Sequence, residues 1–465
     1  MIFNSLQFLW LFPLIFAAYY LVAWLTRRRS HGRAANLLLL AVSYAVYAQW
    51  GLGYALVMLA VTAVTYAAAL LTGRARSRRR WLLAAGVVVA LLPLAALKYS
   101  GPLLAAAGGP AVSVVAPLGI SFFTFQALGY LFDVYRRRVE PERDWWDYML
   151  FVSFFPQILC GPISRAGHLL PQIKSRRRFD YSAAVEGLKW LLWGMFLKVV
   201  MADRLAIYVN MALDNYQSVS GSSILLASVF FSFQIYGDFA GYSLMARGTA
   251  RLLGFDLVNN FNNPYLATSV TDFWRRWHIS LSTWLRDYVY IPLGGSRCGR
   301  WRNYLNILAT FIVCGLWHGA QLSYLAWGAL HGVLQIGEKA LGLRRGSPTG
   351  KAATIARAVA TFVVINFTML LFRMPTVADW WSCSARIFTN FGQVLTENCK
   401  THLIYCVAAA AVALAHDIFT EARPGRRVLL DSRHKATRWA TYVALTLAVM
   451  LFGVFGEGQF IYMNF

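Results

Sequence analysis

DFWRRWHISLSTWLRDYVYIPLGG, residues 272–295, is followed after a short basic linker by NYLNILATFIVCGLWHGA, residues 303–320. The second stretch has no charged residue before His318, and the first carries His278 among tryptophans and arginines. An ionisable side chain at membrane depth is costly, so it is read first as functional. Membrane depth is what the rest of the chain implies. Of 465 residues, 58% are hydrophobic and only 14% are charged, where a soluble domain carries about a quarter. Apolar runs long enough to cross ~30 Å of hydrocarbon recur along the whole length. They are too long for barrel strands of ~10 residues, so the fold class is all-α and polytopic.

The formal net charge is +24. The basic residues lie in short clusters between apolar runs, such as Arg27, Arg28, Arg29 and Arg33, or Arg74, Arg76, Arg78, Arg79 and Arg80, or Arg136, Arg137 and Arg138. That pattern marks cytoplasmic loops and argues against a nucleic-acid partner. It predicts spans at 6–26, 34–50, 54–72, 81–98, 112–135, 183–201, 222–245, 303–317, 322–339, 358–372, 403–419 and 438–454. The first span is expected to be uncleaved. The short segment 148–159 has basic residues on both flanks and leads into Cys160-Gly161-Pro162, which suits a re-entrant hairpin. The loops 100–110 and 207–220 lack basic residues and are expected outside, as are both termini. One transmembrane domain, 1–465, is expected: N-terminal helices in 1–140, a core in 141–345, and C-terminal helices with a tail in 346–465.

The stretch 272–290 reads as one amphipathic helix. Trp274, Trp277, Leu281, Trp284 and Tyr288 recur at three- and four-residue spacing, with Asp272, Arg275, Arg276, Thr283, Arg286 and Asp287 mostly off that stripe. Pro292 and Gly294-Gly295 end it. Such a helix suits a membrane-interface anchor or the wall of a wet cavity. His318 has Gly315 and Gly319 nearby, which admit a backbone or a ligand at close range. It reads either as a hydrogen-bonded core histidine or as a base that accepts a hydroxyl proton. No compact carboxylate–histidine cluster suggests a metal. No nucleophile elbow, phosphate-binding glycine loop or dinucleotide fingerprint is present. Of the six cysteines, Cys160 and Cys314 read as core residues. Cys383 and Cys399 fall in one loop, where a disulfide is open.

These stretches, with FFPQILCGPISR (154–165), FSFQIYGDFAGYSLMARGTARLLGF (231–255) and NNFNNPYLATS (259–269), resemble the membrane-bound O-acyltransferase (MBOAT) family. The similarity is to its bacterial polysaccharide O-acetylation branch, which includes alginate O-acetyltransferases. The resemblance implies about 11–12 transmembrane helices plus re-entrant or interfacial helices around a catalytic tunnel. It implies acetyl-CoA, or another acyl-CoA, as the donor substrate and no covalently bound cofactor. It makes His318 the essential histidine and His278 the second signature histidine. Arginines near the inner face, including Arg275, Arg276, Arg286, Arg297, Arg300 and Arg302, could hold the CoA phosphates, with Trp274 and Trp277 beside them. Their other reading is topology and lipid headgroup contact. The family often has an acidic residue where this chain has Leu244, which is assigned no role; Asp238 nearby is expected to pair locally. The ending FIYMNF (460–465) resembles a family ending whose tyrosine, here Tyr462, is an acyl-carrier candidate. An aromatic interface anchor is the other reading.

The implied function is transfer of an acetyl group from cytoplasmic acetyl-CoA across a bacterial inner membrane, for O-acetylation of a secreted polysaccharide such as alginate or cellulose. A periplasmic SGNH-type transferase is the implied partner. A transporter of an acyl donor without chemistry, and a lipid O-acyltransferase, are the competing readings.

Overall fold

The computed structural model describes residues 3–26, 32–101, 117–343, 350–395, 400–423 and 429–455. Tyr462 and Cys399 lie outside the described residues. The described residues form helices, with no strand among them. The chain divides into two compact units, Met1–Leu191 with Tyr242–Asn259, and Leu192–Gly241 with Asn260–Phe465.

The first unit contains α1 (Leu6–Leu25), α2 (Arg33–Ala48), α3 (Leu52–Arg74), α4 (Arg79–Lys98), α5 (Ile120–Tyr135), α6 (Trp145–Ser153), α7 (Phe155–Ile158), α8 (Ala166–Lys174) and most of α9 (Tyr181–Met195). The short segment expected at 148–159 is the pair α6 and α7, broken at Phe154. Its irregular backbone is covered: every residue from 148 to 164 is buried. The break leaves the Phe155 amide outside helical pairing, and Ser43 Oγ on α2 accepts from it at 3.1 Å. Asp144 caps α6 by accepting from the Trp146 amide at 2.9 Å.

The second unit begins in the last turn of α9. A wide π turn, Phe196–Ala202, leads straight into α10 (Asp203–Leu213). The loop expected from 207 therefore begins only after Leu213. Missing basic residues bear on sidedness and do not mark where a helix ends. Then come α11 (Gly221–Leu252), which passes into the first unit after Gly241, and α12 (Val270–Arg276) with α13 (Ile279–Leu285). A hairpin follows, α14 (Arg300–His318) and α15 (Leu322–Ala340), then α16 (Lys351–Arg373), α17 (Val377–Thr389), α18 (Lys400–Ala422) and α19 (Lys435–Phe452). The amphipathic α17 was not anticipated; Thr376 caps it, its Oγ1 accepting from the Asp379 amide at 3.0 Å.

Among the described residues six helices, α1, α3, α4, α11, α16 and α18, are long and apolar enough to cross a membrane. Many of their large apolar side chains, such as Leu6, Leu14, Leu56, Leu92, Val359 and Ile404, face outward. An exterior of that kind is stable in lipid rather than water. The protein is a multi-pass membrane protein.

Candidate active site

The signature stretch is not one helix. α12 ends at Arg276; Trp277 is extended at φ −102°, ψ 130°, and His278 is left-handed at φ 43°, ψ 54°. A non-glycine residue there costs about 1 kcal/mol. The neighbouring strip NNFNN supplies the compensating bonds. The Asn262 amide donates to the Arg276 carbonyl at 2.9 Å, and the Ile279 amide donates to the Asn260 carbonyl at 2.9 Å. The Ser280 amide donates to Asn260 Oδ1 at 3.2 Å. Helical periodicity continues across the break, because α12 and α13 bury the same face, so spacing alone does not reveal it.

The break turns His278 inward, to 1% exposure. Its ring meets Phe239 edge-on at 4.6 Å between centroids and Trp317 at 5.6 Å. His318, the last residue of α14, is 3% exposed. Its ring lies 4.8 Å from Trp317, 5.2 Å from Trp327 and 5.0 Å from Phe372. The two histidines foreseen from sequence thus converge on one indole, that of Trp317.

Two close helices set His318. A Cβ on Gly315 would lie 2.3 Å from the Tyr324 carbonyl oxygen, and one on Gly328 would lie 2.3 Å from that of Phe311. The close approach foreseen at Gly315 is therefore made by the backbone of α15. On the other side, Glu338 of α15 holds the start of α12, accepting from the Thr271 amide at 2.9 Å and the Thr271 hydroxyl at 2.8 Å.

A third histidine, His331, escaped the sequence reading. It is fully buried on α15, 4.8 Å from Trp327 between ring centroids. The Trp274 indole Nε1–H donates to its Nδ1 at 3.2 Å. A histidine in an apolar run, as in WGALHG (327–332), is the same signal that singled out His318.

The remaining candidates are distributed differently. Trp274 and Trp277 are both buried in the aromatic interior, Trp277 against Phe261 and Phe273 at 5.1 and 5.4 Å. Arg276 bridges Asp272 at 3.1 Å and Glu421 of α18 at 2.9 Å. Arg275 is exposed. Arg286 is exposed and paired with Asp287 at 2.9 Å. The acidic groups of α18 were not foreseen. Beyond Glu421, Asp417 accepts from the Tyr236 hydroxyl at 2.9 Å, and the Tyr236 ring packs on Phe261 and Tyr265. Asp238 does pair, but not locally: Lys198, in the π turn, reaches Asp238 at 2.7 Å and Asp203 at 2.6 Å. All three are buried, where a charge needs a partner. Among the described residues no cluster of three His, Cys, Asp or Glu side chains is placed to hold a metal.

The family model for "MBOAT, membrane-bound O-acyltransferase family" matches residues 143–378, which include both histidines, the break between α12 and α13, and the α14–α15 hairpin. The chain belongs to the membrane-bound O-acyltransferase family. This MBOAT chain is 36% identical over 407 residues to "Probable alginate O-acetylase AlgI" of Pseudomonas aeruginosa, covering 84% of this chain and 75% of the relative. It is 36% identical over 431 residues to the protein of the same name in Azotobacter vinelandii, covering 90% and 83%. It is 32% identical over 369 residues to "Peptidoglycan O-acetyltransferase" of Helicobacter pylori, covering 72% and 69%. The protein is an O-acyltransferase.

Proposed function

We propose that this O-acyltransferase takes an acetyl group from cytoplasmic acetyl-CoA and delivers it, on the far side of an inner membrane, for O-acetylation of a secreted polysaccharide. The observation that carries this reading is the convergence of His278 and His318 on Trp317 inside a membrane protein. His318 acts as the general base. Its imidazole takes the proton of the acceptor hydroxyl, whose oxygen attacks the thioester carbonyl carbon. The C–S bond breaks, and the CoA sulfur leaves with the proton that His318 had accepted. His278 orients the reacting groups. Apolar walls exclude water, which would otherwise hydrolyse the thioester. The exposed guanidinium groups of Arg275 and of Arg286, which has one carboxylate partner in Asp287, are better placed to receive CoA phosphates than Arg276, which already holds two carboxylates.

The acceptor in this reading is Tyr462, whose acetyl ester a periplasmic SGNH-type transferase unloads onto the polymer. The relatives' names favour glycan acceptors, alginate and peptidoglycan among them. Full-length protein purified in detergent and given acetyl-labelled CoA tests the chemistry. Release of free CoA with label in an oxygen ester is expected. An His318→Ala protein that folds, inserts and still acetylates would sink the catalytic assignment. Undiminished polymer acetylation by Tyr462→Phe would remove the carrier and leave the base untouched.

A further inference from the structure

In the first unit, a cavity of about 570 Å³ is lined by Arg76, Ser77, Arg79, Arg80, Tyr135, Arg136 and Arg137. Five of its seven lining residues are arginines, and no lining residue is acidic. The reaction assigned above does not use it.

Its position follows from the helices. α3 and α4 are both span-length, and only residues 75–78 join them. That connection must lie at one face of the membrane, at the depth of the lipid headgroups. The pocket is open, with Arg76, Ser77, Arg80 and Arg137 exposed, but Arg79 ties its two walls together. Arg79 Nη2 donates to the carbonyls of Val134 and Tyr135 at 3.3 and 2.9 Å, tying the start of α4 to the end of α5. Arg79 Nε is buried with no hydrogen-bond partner. Among the described residues, no carboxylate pairs with Arg76, Arg80 or Arg137.

The backbone at the two walls differs: the end of α5 offers carbonyls that suit cations, whereas the start of α4 does not. Arg137 is left-handed at φ 58°. It ends α5 with its amide on the Val134 carbonyl at 3.0 Å and the Arg138 amide on the Asp133 carbonyl at 2.9 Å. Glycine usually occupies that position, and an arginine held there is strained. At the other wall, α4 starts with Arg78, Arg79 and Arg80, with no acidic residue in its first turn and no side-chain cap. The N-terminal end of a helix is itself partly positive. A rule that places basic residues in cytoplasmic loops explains their sign. It does not explain their convergence on one cavity.

We propose that this cavity binds a phosphate group, and that the group is the headgroup of an anionic phospholipid. Guanidinium forks match phosphate oxygens in pairs, and a phosphodiester would neutralise the cluster at the depth where lipids present one. The site would anchor α3, α4 and α5 to the anionic leaflet.

The test uses the full-length protein in detergent. Binding of phosphatidylglycerol, phosphatidylcholine and inorganic phosphate is measured for wild type, Arg76→Gln/Arg137→Gln and Arg137→Gly. Arg137→Gly relieves the left-handed strain and so guards against a loss that merely reports misfolding. Wild type is expected to prefer phosphatidylglycerol over phosphatidylcholine, and both variants to bind it roughly tenfold more weakly. Variant-sensitive binding of inorganic phosphate as well would keep the phosphate site and assign it a soluble source. Equal phosphatidylglycerol affinity in all three proteins overturns the proposal.

Discussion

The indole of Trp274 donates to Nδ1 of His331 across 3.2 Å, joining the signature helix α12 to α15. The accepting nitrogen must lack a proton, so the neutral ring carries its proton on Nε2. The bond orients His331 beside Trp327, whose ring also meets His318. Replacing Trp274 with Phe strands a buried acceptor, a loss of about 1–3 kcal/mol, to which the smaller ring adds a packing loss. Thermal unfolding in detergent should show it, with His331→Phe in the Trp274→Phe background recovering part.

His278 combines a left-handed backbone with a buried ring. His278→Gly and His278→Ala both remove the imidazole, but only glycine accepts the backbone freely. The glycine variant should be the more stable by about 1 kcal/mol. Both should lose acetyl transfer to a similar degree. If His278→Gly keeps full activity, the ring has no part in the chemistry.

The base role proposed for His318 predicts a fall in turnover of about 10²- to 10⁴-fold in His318→Ala. Labelled acetyl transfer at saturating donor measures it. Donor binding should change little, because the ring is enclosed by Trp317, Trp327 and Phe372.

Lys198 lies between two buried carboxylates. Lys198→Met removes the cation and leaves Asp203 and Asp238 together, which should cost about 3–5 kcal/mol. Asp238→Asn should cost less, since Lys198 keeps Asp203. The order of the two variants in thermal unfolding is the check.

Asp379, at the start of α17, accepts from the Thr376 hydroxyl at 2.6 Å and the Tyr216 hydroxyl at 3.0 Å. These bonds hold its carboxyl below the ordinary carboxylate range. A lowered folded pKa stabilises the fold above the unfolded pKa, and the gain is lost as pH falls through the folded value. Tyr216→Phe should therefore be less stable than wild type at neutral pH, and the gap should close in acid.

Composition and apolar run length were enough to read a helical membrane protein, because lipid demands long apolar helices whatever their packing. His278 and His318 were legible for a related reason: a titratable ring in apolar surroundings is conspicuous in any sequence. The ends of α1, α3 and α4 fell within a few residues of the basic clusters that bound them. His331 carried the same signal and was passed over. What spacing could not carry was anything that depends on a partner distant in the chain. The break at His278 exists because Asn260 and the Asn262 amide complete its hydrogen bonds. Gly315 is needed because Tyr324 lies against it, and Asp238 is tolerated because Lys198 reaches it from 40 residues away. Glu421 reaches Arg276 of the signature stretch, and Asp417 reaches Tyr236 of α11, only once α18 is folded against them. The opening stretch at 272–320 thus showed its candidate residues by type. Its geometry, two imidazoles on one indole, is a property of packing, since a side chain's identity is local but its neighbours are not.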